Sequence, residues 1–184
     1  MGSSSSRAVR SFAAGAILLG ALAGAPAPAA DTIQGTFAAE AQKRTLAHGL
    51  AWRDAKGVLK VRFFSDAPTA KEEARALADD GTLDGVFAKP NVTLDLGLQD
   101  GAAALTPEAF ESCHLAFSGF EGGRFDANGF RPQCGVLELS GDLRPGGVVH
   151  GRLQGHMEAF PAADGHRPAY TWDLEFTATL RARP

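Results

Sequence analysis

Five polar side chains fall at every second position of VVHGRLQGHMEAF: His150, Arg152, Gln154, His156 and Glu158. In an extended strand alternate residues share a face, so this row would present two imidazoles, a guanidinium, an amide and a carboxylate together. Such a set suits acid–base work or metal binding. The two histidines, however, stand six residues apart, about 20 Å at roughly 3.3 Å per residue. Metal–nitrogen bonds are only about 2 Å long, so the two cannot be joint ligands of one ion. His48, His114 or His166 would have to reach the row from other strands, and the sequence alone does not set that register. The row therefore reads as the solvated side of a strand or as a polar binding face. No metal site and no cofactor are expected.

Other candidates are weaker. DANG, Asp126 to Gly129, begins like a calcium loop, but Gly135 stands where the bidentate glutamate belongs, so the segment is expected to be a turn. Ser118 lacks the preceding glycine of a nucleophile elbow, and Ser140 sits in an alternating strand. Asp173 and Glu175 share a strand face at a spacing close to that of a retaining glycosidase pair, as acids on exposed strand faces commonly do. There is no phosphate-binding or dinucleotide-binding glycine loop.

The chain opens with MGSSSSRAVR, an apolar run over 12–25, and PAPAAD. Basic start, short apolar stretch and small residues are the three parts of a secretory signal, with cleavage expected after Ala29. The run is shorter than the roughly 20 apolar residues a transmembrane helix needs, and no second stretch of that length follows. One domain over 30–184 is expected, exported to the periplasm or secreted. The leader holds two of the 18 basic residues and none of the 21 acidic ones, which leaves the remainder near minus 5. That balance argues against nucleic acid as a partner, because a basic stripe is needed to displace counterions.

Cys113 and Cys134 are the only cysteines. In an oxidising compartment they are expected to form a disulfide that closes a loop of about 20 residues and stabilises the fold by roughly 3 kcal/mol. Without CxxC spacing or a clustered histidine, a redox or metal pair is disfavoured.

Two-residue periodicity dominates what remains. YTWDLEFTATLRA alternates Tyr170, Trp172, Leu174, Phe176, Ala178 and Leu180 with polar residues, and its upstream neighbour carries Val149, Leu153, Met157 and Ala159 on one side. The loop PAADGHRP should join them as an antiparallel hairpin. Gly151 and Gly155 interrupt the apolar row and would leave space for the rings of Tyr170, Trp172 and Phe176. VTLDLGL, VLKVRFF, SCHLAFSGF, ADTIQGTFA, LAHGLAWR and CGVLELSGDL add further strands, the last with Leu137, Leu139 and Leu143 on one side. DAKG, QDG, EGG and RPGG supply turns. TAKEEARALADDG predicts one short helix over about 69–80, with Thr69 and Glu72 as a capping box and Gly81 as the stop. TPEAF begins like a helix and is expected to be as short as one turn. The fold class is all-β: an antiparallel sandwich or barrel of about eight strands. Twelve phenylalanines, two tryptophans and one tyrosine would pack an ordinary core or line a ligand cavity.

AWR, VRFFSDAP, LDGVF and the closing WDLEFTA resemble a loose group of small exported bacterial β-proteins of unassigned function. The matching residues are Ala51 and Trp52, then Val61, Phe63, Ser65, Asp66 and Pro68, then Gly85 and Val86. The resemblance implies an exported β-domain and brings no catalytic residues; the cysteine pair is not part of its pattern.

Together these features predict a non-enzymatic binding or interaction module. Its expected partners are an apolar small molecule or an envelope component, met at the sheet face or barrel mouth. The alternative is an envelope hydrolase whose His, Asp and Glu residues assemble from several strands.

Overall fold

The computed structural model describes residues 31–78, 90–118, 125–129, 134–158 and 164–182, with the backbone alone for 118 and 125–129. The leader, Gly81, the LDGVF segment, the EGG turn and Ala159 lie outside the described residues.

The strongest alternation produces the longest strands. In β11 (Ala169–Arg181) Trp172, Leu174, Phe176, Ala178 and Leu180 are buried. In β10 (Val148–Glu158) Val149, Gly151 and Leu153 are buried between exposed polar neighbours. The two strands pair antiparallel with Gly151 opposite Phe176 and Gly155 opposite Trp172. A methyl group on Gly151 would collide with the Phe176 ring, and one on Gly155 with the Trp172 indole. These glycines are the sockets in which the two rings lie. Tyr170 pairs instead with Met157.

Around this hairpin the described strands run β1 (Thr32–Ala39), β2 (Gln42–Leu46), β3 (His48–Arg53), β4 (Leu59–Phe64), β5 (Asn91–Leu98), β6 (Ala104–Leu105), β7 (Phe110–Ser118), β8 (Phe125–Gly129) and β9 (Val136–Asp142). They form one sheet in the order β6-β9-β10-β11-β3-β4-β5-β7-β8, with β1 on β11 and β2 on β1. The sheet curls into a nearly closed, barrel-like shape. It has two wings, one centred on β10 and β11 and the other on β4 and β5.

The sheet is mixed, where a purely antiparallel one was expected. β11 pairs parallel with β3 at Leu180–Ala51 and Arg181–Trp52. The cause is length: β11 outruns β1, which ends its ladder at Thr32–Thr177, and Asp31 caps the next step by accepting from the Thr179 backbone N–H and hydroxyl at 2.8 and 2.9 Å. The edge of β11 beyond that point takes up β3.

Among the described residues eleven strands form where about eight were expected, the additions being the charged edge strand β2, the two-residue β6, and β8. DANG lies within β8, held extended by its ladder to β7, and is not a turn. Leu137 also departs from expectation and is 55% exposed, while Leu139 and Leu143 are buried. The register slips there, from Arg152–Glu138 to Leu153–Val136. A bulge of this kind places two residues against one and turns a side chain outward.

Among the described residues, side chains from both wings pack against one another between them. Phe37 and Phe117 have ring centroids 4.7 Å apart, and Phe63 and Phe176 meet edge-on at 6.4 Å. These pairs bridge strands from opposite wings, and one continuous cluster of buried side chains spans both. Among the described residues Phe37, Phe63, Phe117, Trp172 and Phe176 belong to this packed core.

β4 is buried on both faces. Its outward Phe64 joins Leu50, Trp52 and Ala76 in a second, smaller cluster under α1 (Ala70–Ala78). Thr69 and Glu72 close the capping box: the Glu72 carboxylate accepts the Thr69 backbone N–H at 2.7 Å, and the Thr69 hydroxyl accepts the Glu72 N–H at 3.3 Å. Thr69→Ala should lower stability in urea titrations by about 1 kcal/mol, and Thr69→Ser should restore most of it. TPEAF makes one turn, in which the Thr106 hydroxyl accepts the Ala109 N–H at 3.2 Å.

Candidate functional site

All five residues of the polar row, His150, Arg152, Gln154, His156 and Glu158, are exposed on the outer face of β10. The inner positions between them bury Val149 and Leu153, so core packing sets which way the row points. Cross-strand pairing extends the face in both directions: Arg152 stands between Glu138 of β9 and Glu175 of β11, and Gln154 is opposite Asp173. A histidine ring nitrogen, His150 Nδ1, lies 2.8 Å from the Thr177 hydroxyl. Gln34, Thr36 and Thr45 of β1 and β2 continue the surface, and with Arg152, Asp173 and Glu175 they line a shallow groove of about 340 Å³.

The other histidines do not join this row. His166 meets Glu40 at 3.1 Å, His48 opens β3, and His114 belongs to the opposite wing. Among the described residues no group of three or more His, Cys, Asp and Glu side chains is arranged to hold a metal ion. The face can donate and accept many hydrogen bonds, and the Arg152 guanidinium stands between the carboxylate-bearing Glu138 and Glu175. It is open to solvent across the strands and is not an enclosed pocket.

A second polar group sits where the sequence gives little warning of it. On the outer face of the second wing Lys60, Asp95 and His114 stand opposite one another on β4, β5 and β7. Lys60 Nζ is 2.8 Å from Asp95 Oδ2 and 3.8 Å from Asp54 Oδ2, and His114 Nδ1 is 3.9 Å from the same Asp95 oxygen. The Lys60 and Asp54 side chains are 6% and 5% exposed. Asp54 also closes the DAKG turn, accepting the backbone N–H groups of Lys56 and Val58, each at 2.9 Å. Burial pushes the Asp95 carboxyl up, but hydrogen bonds and charge from His114 and Lys60 outweigh it and hold the group below its ordinary value.

The only sequence signal for this cluster is Phe63 followed by Phe64. Two consecutive large apolar residues break the alternation and mark a strand covered on both sides. On such a strand Lys60 and Arg62 must be buried as well, and they are, at 5% and 4% exposed.

Cys113 and Cys134 have their sulfurs 2.09 Å apart, at disulfide distance. They join β7 to the stretch just ahead of β9. No protein-family model matches the chain, and no curated protein or solved structure matches it.

Proposed function

We propose that the protein is an exported, non-enzymatic binding module that meets an envelope component through the outer face of β9, β10, β11, β1 and β2. The observation that carries this reading is the contrast between a packed core and an open polar face. Among the described residues Phe37 meets Phe117 and Phe63 meets Phe176 across the middle, within one continuous cluster of buried side chains, which favours a core over a ligand cavity there. His150, Arg152, Gln154, His156 and Glu158 meanwhile stand in solvent on strands whose positions are set by core packing. Export is supported by the leader-like start, the paired cysteines, and the lack, among the described residues, of any helix long and apolar enough to cross a membrane.

Site-specific photocrosslinking in the producing cell tests the reading. A benzophenone side chain at Gln154 should give a discrete adduct with an envelope species, and the same probe at exposed Lys56 in the DAKG turn should not. Adding Arg152→Glu and His150→Ala should reduce the Gln154 adduct at least about tenfold, the loss expected when central polar contacts of an interface are removed. Equal labelling from both positions, or none from either, would count against it.

An envelope hydrolase is the second reading, favoured by one observation: Asp54, Lys60, Asp95 and His114 come together from separate segments. Lys60 already neutralises the carboxylates, which leaves the cluster suited to holding strands together. Substituting His114 with alanine should leave the Gln154 adduct unchanged.

A further inference from the structure

We propose that the Cys113–Cys134 bond is a bolt across an otherwise unladdered seam, and that its reduction frees the β7–β8 edge from β9 while the rest of the barrel stays folded. The sheet path ends at β8 on one side, and β9 is continued only by the two residue pairs of β6. Among the described residues no ladder joins β8 to β9. Each half of the bolt is fixed to a different wing. Cys134 and Gly135 belong to the first wing, since the Trp172 indole N–H donates to the Cys134 carbonyl at 3.0 Å and the Gln154 N–H donates to the Gly135 carbonyl at 2.9 Å. Cys113 belongs to the second, in register between Leu96 of β5 and Gly129 of β8.

Among the described residues the wings are laddered through β11–β3 on one side and cross-linked through sulfur on the other. The other ladders of those residues hold each strand within its own wing. On loss of the bond none of them spans the seam, and β8 stays tied to Cys134 by the backbone. Such an edge can open as a cooperative unit of its own, at lower cost than global unfolding. Both cysteines are buried, at 2% and 1% exposed, so the bolt is shielded until a reductant reaches it. The step balances with an external dithiol: two thiols of the reductant close into a cyclic disulfide, and their two electrons and two protons leave Cys113 and Cys134 as free thiols.

Native-state hydrogen exchange of the full processed chain, with and without dithiothreitol, tests the proposal. Amides of the β7–β8 ladder should lose well over the roughly 100-fold that closing a loop of about 20 residues contributes to global stability, while those of the β10–β11 ladder lose no more than that roughly 100-fold. The Cys113→Ala, Cys134→Ala variant should reproduce the pattern without reductant, which covers the case in which dithiothreitol cannot reach the bond. Equal acceleration in both wings, no acceleration in either, or an unfolded double variant would each overturn it.

Discussion

Phe176→Ala is expected to lower stability by about 3–5 kcal/mol, the usual cost of removing a buried phenylalanine from a core that collapses only partly. Phe176 is 1% exposed, meets Phe63 edge-on, and fills the space over Gly151. The glycine makes the prediction sharper. Gly151→Ala alone should cost roughly 1–3 kcal/mol, because the added methyl meets the ring and an overpacked core strains. In the Phe176→Ala background the same methyl enters vacated space and should cost little or even help. The double-mutant cycle should therefore show a coupling of at least about 1 kcal/mol in urea titrations. Additive losses would mean that ring and glycine do not share the space.

Asp95→Ala should cost about 3 kcal/mol, near the low end for breaking a buried ion pair because the Asp95 side chain is 22% exposed. Lys60 would lose its partner at 2.8 Å and keep only the more distant Asp54 at 3.8 Å. Replacing the pair together by Lys60→Met and Asp95→Leu should recover most of the loss, since apolar residues of similar size remove both charges at once. The pH dependence follows from the direction of the Asp95 shift. Its folded value lies below the unfolded one, so its contribution is complete above the ordinary aspartate range and is lost as pH falls through the folded value. Wild type should lose stability through that acidic window, and Asp95→Ala should lose correspondingly less.

Local periodicity makes much of the fold legible from the order of residues alone. The apolar row of β11, the glycine sockets of β10 and the Thr69–Glu72 capping box depend on residues within a few positions of one another or on a directly adjacent hairpin strand. The outward direction of His150, Arg152, Gln154, His156 and Glu158 follows from the same alternation. What the sequence does not reveal depends on partners distant along the chain. The parallel β11–β3 contact arises because β1 stops short beside a longer strand, a relation between two lengths rather than a pattern in either. Leu137 continues the apolar parity of Leu139, yet the bulge between Glu138 and Val136 turns it outward.

β8 shows the same limit, because DANG has the composition of a turn and is straightened by its ladder to β7. Composition sets a local preference, and pairing overrides it. The Lys60 cluster is hidden for a related reason. A lysine between Leu59 and Val61 looks like the wet side of a strand unless the other face is known to be covered. Only the Phe63–Phe64 pair hints at that cover, and nothing in it points to Asp54, Asp95 or His114.

We place recognition on the outer surface, since among the described residues the middle of the barrel is packed with the protein's own side chains. Native mass spectrometry of the protein isolated from the envelope of the producing cell tests this most directly. The predicted result is the mass of residues 30–184 less two hydrogens, with no small molecule retained. An apolar compound that stays bound through isolation would contradict it.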